Sequence, residues 1–157
     1  MKAGFLVVDK PAGITSHDVV SVLRALLGIK KVGHTGTLDP FATGVLPMAL
    51  GSATRLIQFL DESRKTYVGR IRLGEATDTG DLTGSVIRSS GVPALTLDGV
   101  QRAAEAFVGE RMQTPPQYSA VKVRGKALYK YAREGKSVAA APRPIHVYNL
   151  RATNVGL

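Results

Sequence analysis

The chain contains no cysteine. That absence removes disulfide bonds, cysteine–zinc sites and a thiol nucleophile, and it makes a cytoplasmic location the expectation. No apolar run approaches the ~18 residues of a membrane span, so no membrane partner is expected. The opening Met1-Lys2-Ala3-Gly4-Phe5 leads straight into a strand-like segment and is read as having no signal-peptide core. His17, His34 and His146 lack the local spacing of a metal site. Familiar catalytic templates are missing too: there is no Gly-x-x-x-x-Gly-Lys-Ser/Thr phosphate loop and no Gly-x-Ser-x-Gly elbow.

Acidic residues are scarce in one region only. The formal charge of +9 over 157 residues is unevenly placed, with 12 Lys or Arg against 11 Asp or Glu in residues 1–110. Residues 111–157 hold 9 Lys or Arg against Glu134 alone. A segregated basic bias reads as a surface for a polyanion, nucleic acid ahead of anionic lipid. An apolar content of 44% is enough for one domain with a real core.

Phe5 to Val8 reads as a strand ended by the turn Asp9-Lys10-Pro11-Ala12-Gly13. Thr15 or Ser16 can N-cap a helix whose core face is Val19, Val20, Leu23, Leu26 and Leu27, with Asp18 in its first turn and Gly28 at its end. A further helix is predicted through Leu60, with Leu56, Ile57, Phe59 and Leu60 facing the core. Thr66 to Leu73 alternates as a half-buried strand should, and Ser85 to Arg88 is expected to pair back onto it. Glu75, Asp78 and Asp81 sit in a Gly/Thr-rich turn and read as Asx-turn residues rather than a metal or acid–base site. A helix from Asp98 to Val108 is expected to bury Val100, Ala103, Ala104 and Phe107, with Asp98 and Gln101 as a capping pair.

The span from 111 to 143 reads as a long basic excursion between framework strands, and long excursions are usually functional. Gln113 to Ser119 cannot be regular at Pro115 and Pro116. Ala127 to Glu134 suggests a short exposed helix, Ala139 to Pro144 a linker and Ile145 to Val155 a returning strand. Tyr129 and Tyr131 interleave with basic residues, a pattern that suits RNA and equally suits plain packing.

The stretch Gly33-His34-Thr35-Gly36-Thr37-Leu38-Asp39-Pro40-Phe41-Ala42-Thr43-Gly44-Val45-Leu46-Pro47 organises the chain. Pro40 disfavours helical dihedrals at the residue before it, so Asp39 is expected in an extended or turn conformation on a stiff backbone. The apolar run Val45 to Leu50 should be a buried strand anchoring the loop. Leu-Asp-Pro can also be a turn and nothing more. A lone carboxylate suits chemistry at an anomeric carbon, where it attacks or steadies positive charge at C1′. Hydrolysis there usually needs a second carboxylate. An enzyme that breaks a base–sugar bond and rejoins the same base through another atom needs no water, so one carboxylate suffices in principle.

Here the chain resembles the TruB family of tRNA pseudouridine synthases. The resemblance spans essentially the whole sequence. It rests on Asp9 to Ser16, the Gly33–Pro47 stretch, Lys65-Thr66-Tyr67 before Arg72-Leu73-Gly74, and the Thr77-Asp78-Thr79 and Asp81 turn. It continues through Gln113 to Pro116, Tyr118-Ser119-Ala120, Gly125, Leu128-Tyr129, Ala132-Arg133 and Arg143-Pro144. It implies an α+β fold, a mixed and mostly antiparallel sheet flanked by helices, incomplete at the C-terminal end. Residues 1–157 would be the N-terminal part of the catalytic domain, with 111–143 a basic RNA-binding insertion.

The implied activity is isomerisation of uridine 55 in the T-loop of tRNA, with base flipping and without cofactor or metal. Asp39 corresponds to the catalytic aspartate, as nucleophile or as charge stabiliser. Tyr67 matches the tyrosine that stacks on the target base, and His34 the histidine that enters the T-loop. Lys10 and Pro11 match a motif that braces the active-site loop. Lys122, Arg124, Lys126, Lys130, Arg133 and Lys136 supply the charge of the insertion that closes over the T-arm. A monomer is expected. Beyond this region the family carries a Gly-Thr-Tyr-Ile-Arg strand whose Arg pairs with the catalytic Asp. These 157 residues do not contain it, so the isolated chain is expected to be inactive or nearly so. Two alternatives stand beside this reading: a guide-RNA-dependent synthase of the dyskerin-like class, and a non-catalytic RNA-binding fragment.

Overall fold

The computed structural model describes residues 3–60 and 64–156. The chain divides into two compact units, residues 1–67 and 68–157.

The first unit is a three-stranded antiparallel sheet in the order β1-β3-β2, with β1 Gly4–Lys10, β2 Val32–His34 and β3 Gly44–Leu50. Directly opposed residues share a face. Leu6, Met48 and His34 therefore lie on one face with Val8 and Leu46, while Phe5, Ala49 and Gly33 lie on the other with Val7 and Pro47. Helix α1, Ser16–Leu27, follows β1 and supplies Val19, Val20 and Leu23 to a core with Ile29, Val32, Leu46 and Met48. Thr15 rather than Ser16 is its N-cap, in a reciprocal capping box with Asp18, and Gly28 closes it in the left-handed conformation at φ 61°. Leu26 and Leu27, expected in the core, are exposed; Ile29, just past the helix end, fills the core beyond Leu23 instead.

Where β2 stops is a matter of one missing proton. On the β2 side, Gly51 N–H donates to Lys31 C=O at one end of the ladder and Thr35 N–H to Pro47 C=O at the other. Pro47 has no N–H to return, so that pair makes one bond where a narrow antiparallel pair makes two. The chain leaves the ladder at this point and enters the loop 35–43.

The helix predicted through Leu60 is a 3-10 helix, Gly51–Phe59. Its three-residue repeat aligns Thr54 with Ile57, and both approach Gly33, where a Cβ would stand 3.0 Å from Ile57 Cδ1. Ala53 is buried and Ile57 half-buried, whereas Leu56, Phe59 and Leu60 are exposed.

In the second unit β4 Glu75–Thr77 pairs with β5 Val86–Ser89, and β6 Gly109–Gln113 with β9 Arg143–Val147. The hairpin β7 Lys122–Val123 and β8 Lys126–Ala127 precedes α3 Leu128–Arg133. Helix α2 spans Leu97–Glu105. The α+β class holds, and every strand pairing is antiparallel among the described residues. Residues 66–73 form no strand, and β5 pairs with β4 in their place. Alternation alone does not make a strand; a ladder partner is also required, and Val68 and Ile71 stand 99% and 82% exposed. Thr96, not Asp98 with Gln101, caps α2, through a 3.1 Å bond from Gly99 N–H. Gln101 instead pairs with the backbone of Leu150 and Ala152. Val100 and Ala104 are half-buried, while Ala103, within the helix, is exposed, as is Phe107 beyond the helix end at Glu105. The returning strand begins at Arg143, inside the expected linker, and ends at Val147. No helix among the described residues is long and apolar enough to cross a membrane.

This core sets a stability contrast. Met48→Ala should destabilise the chain by about 2–5 kcal/mol, because Met48 is fully buried. Leu26→Ala should change it by no more than about 0.5 kcal/mol, and urea midpoints of the two variants against wild type measure the difference.

Candidate functional site

Asp39 sits in a β-turn closed by Ala42 N–H donating to Asp39 C=O at 3.0 Å, with Pro40 at the second position. The side chain is exposed. Among the described residues its carboxylate has no hydrogen-bond or ion-pair partner, so both oxygens are available to a ligand. The backbone around it is held on both sides. Ser16 Oγ accepts from Leu38 N–H at 3.0 Å and lies 3.2 Å from Leu38 C=O, to which it can donate. On the other side Pro40 C=O accepts from Gly13 N–H at 2.8 Å and from Lys10 Nζ at 3.3 Å.

Lys10 is completely buried, the last residue of β1 on the core face of the sheet. An ammonium has three N–H donors, and here three carbonyls receive them: Pro11 at 2.8 Å, Ile14 at 2.7 Å and Pro40. The lysine thus joins the turn after β1 to the loop that carries Asp39. Gly13 can present its N–H to Pro40 because it adopts φ 89°, a conformation that costs other residues strain. Pro11, expected to brace the loop, contributes through its carbonyl.

Below this turn, the Thr15–Asp18 box starts α1. The Thr15 hydroxyl and then its N–H, each 2.7 Å from Asp18 Oδ2, hold the Asp18 carboxyl below the usual carboxylate range. Sequence reading left Thr15 and Ser16 as alternative caps and so missed the role of Ser16 at Leu38. The available signal was a surplus: two adjacent hydroxyls where one cap is enough.

His34 ends β2 opposite Met48, with its Nδ1 buried and unpartnered among the described residues. Tyr67 lies in an irregular stretch and is 74% exposed. No hydrogen bond or ring contact joins either residue to Asp39. Lys10 and Asp39 are therefore brought to one loop system, and His34 and Tyr67 are not seen to touch it.

The basic residues lie in the second unit. Gln113 and Arg143 are paired at the base of the excursion, where β6 meets β9. Further in, the Gln117 amide exchanges two hydrogen bonds with the Val138 backbone, 2.9 and 3.1 Å. Val123 and Lys126 flank the tight turn Arg124-Gly125, both turn residues at positive φ as a type I′ hairpin requires, and Lys122 pairs with Ala127 one rung on. Leu128, fully buried, anchors α3 beneath it. Lys126 stands 4.6 Å from the Tyr131 ring centroid and Arg133 5.3 Å from that of Tyr129. Glu134 pairs with Lys126 and with Lys136, and its carboxyl is held below the usual range chiefly by Lys126. Lys122, Lys126, Lys130 and Tyr129 line an open concavity of ≈570 Å³.

In the acidic turn, Asp81 Oδ1 accepts from Thr79, from Thr83 N–H and from the Thr83 hydroxyl, and Asp78 from Ser85 N–H. The carboxylates are used to shape the turn. No group of three metal-ligating side chains occurs among the described residues.

Residues 24–156 match the family model described as TruB family pseudouridylate synthase, N terminal domain. The "tRNA pseudouridine synthase B" of Geotalea uraniireducens is 54% identical over 98% of this chain and 50% of its own length. That of Caldanaerobacter subterraneus is 51% identical over 94% of the chain and 52% of its own length. The chain spans about half the length of these curated relatives. Among solved structures, a Cbf5-Nop10-Gar1 complex matches 77% of this chain and 31% of the matched chain, with 34% identity and a TM-score of 0.50.

The capping box gives a pH-dependent expectation. Because the folded Asp18 carboxyl is depressed, its contribution is fully present above the ordinary aspartate range and is lost as pH falls through the lowered value. The stability gap between wild type and Asp18→Ala should accordingly narrow below about pH 4, as read from urea midpoints at a series of pH values.

Proposed function

The chain belongs to the TruB family of pseudouridylate synthases, and from that premise we propose that it carries the catalytic aspartate of a tRNA pseudouridine synthase acting on uridine 55 of the T-loop. The observation that carries this reading is the carboxylate of Asp39, unpartnered among the described residues, on a turn anchored at both neighbouring residues. Such an acid is free to meet C1′ yet is not free to wander. In the proposed reaction the N1–C1′ bond breaks, and Asp39 attacks C1′ or steadies its positive charge. The uracil stays in the pocket, turns, and rejoins C1′ through C5. C5 loses its proton and N1 gains one, so the product is an isomer and no water or cofactor enters the balance.

Tyr67 is assigned to the face of the target base and His34 to the gap that the flipped nucleotide leaves, where unstacking costs a few kcal/mol. Residues 111–143 are assigned to tRNA as a basic insertion, with Lys122, Arg124, Lys126, Lys130, Arg133 and Lys136 toward phosphates. What supports this is the closed base of the excursion at Gln113–Arg143 and Gln117–Val138, and the common basic surface of hairpin and helix. The likeness to the Cbf5 complex favours one second reading, an enzyme that works with protein partners and a guide RNA. Identities near 50% to synthases named for tRNA weigh against it.

In the full-length protein, Asp39→Asn should abolish pseudouridine formation on a bare T-arm hairpin, by on the order of 10³-fold or more, while leaving tRNA affinity unchanged. Retained turnover would remove the catalytic assignment, and a wild type that fails on the bare hairpin would favour the second reading. Phosphate contacts should also make the logarithm of affinity fall with the logarithm of salt, by about 0.7–0.9 per contact. A flat response in a salt titration would exclude the insertion as the tRNA surface.

A further inference from the structure

Among the described residues the buried polar or charged side chains are two, Lys10 and Ser16, and both reach the same loop. Lys10 takes the residue after Asp39. Ser16, 3% exposed, takes the residue before it. Its hydroxyl has one proton and spare lone pairs, and Leu38 offers one C=O and one N–H to match. Ser16 is the first residue of α1, and the helix start is capped by Thr15 and Asp18, so the Ser16 hydroxyl is left to Leu38.

We propose that Ser16 is a positioning residue for Asp39. The Leu38 carbonyl belongs to the peptide that joins Leu38 to Asp39, so the bond from Ser16 fixes the plane of that peptide. The bonds from Lys10 and Gly13 fix the carbonyl of Pro40. With one anchor the intervening residue can pivot; with two, the direction in which the carboxylate leaves the backbone is set. Ser16 touches neither substrate nor reacting atoms and acts through orientation alone. This inference rests on Asp39 being the catalytic carboxylate, as proposed above. A reacting group displaced by about 1 Å can lose about 10²-fold in rate, which sets the scale of the effect.

The test is steady-state kinetics of the full-length protein on a T-arm hairpin, with hairpin affinity and thermal midpoint measured alongside. Ser16→Ala should lower kcat about 10- to 100-fold, with affinity for the hairpin unchanged. Ser16→Thr and Ser16→Val add the same bulk and differ in the hydroxyl. The Thr variant should recover most of kcat and the Val variant should not, and this pair decides if the Ala variant fails to fold. A kcat for Ser16→Ala equal to wild type, or equal losses in the Thr and Val variants, would overturn the proposal. Asp39→Asn run in parallel separates the two ideas. If it stays active, the catalytic reading of Asp39 and this inference fall together; if it is inactive while Ser16→Ala is unimpaired, only the inference falls.

Discussion

The three bonds of the Lys10 ammonium are the constraint on which the rest of the first unit depends. A cation withdrawn from water is costly unless every donor finds an acceptor, and Lys10 finds all three in backbone carbonyls rather than in a carboxylate. The choice of acceptor matters. A carboxylate partner would have neutralised the lysine and tied down one side chain. Carbonyls from Pro11, Ile14 and Pro40 instead tie down two stretches of main chain, remote in sequence, and leave the nearby acid unspent. The sheet supplies the fixed end of this arrangement, because Lys10 closes β1 opposite Gly44 of the central strand.

The parts of this design that follow a period or a local rule were legible in the residues. The core face of α1 at Val19, Val20 and Leu23, its closure at Gly28 and the strand through Leu46 and Met48 all follow from spacing and backbone preference. The turn at Asp39 followed from Pro40. What was not legible depends on partners distant in sequence. Thr66 to Leu73 has the alternation of a strand and no ladder. Nothing in Gln101 announces that its amide will satisfy Leu150 and Ala152 rather than cap its own helix. The Ser16–Leu38 bonds are of the same kind, since a side chain bonding to backbone 22 residues away leaves no periodic trace.

Side-chain amides recur as substitutes for strand pairing in the second unit. Gln101 and Gln117 each present one donor and one acceptor to an extended backbone segment, as a neighbouring strand would. A glutamine can do this where a ladder would be too long or wrongly directed. Gln117 draws Val138 in without extending β6 and β9, so the basic excursion is closed near its base and keeps its own small core around Leu128 beyond it.

A loop beside a strand pair always has a rival conformation, in which the ladder zips onward and absorbs the loop into two longer strands. Thr35, Thr37 and Thr43 on either side of Asp39 would tolerate that outcome. Because Pro47 can accept from Thr35 but return nothing, each further rung would have to be added across a defective one. The ring therefore works as a zipper stop: any ladder extended past His34 would lack one of its hydrogen bonds, which disfavours absorption of the Asp39 turn into longer strands.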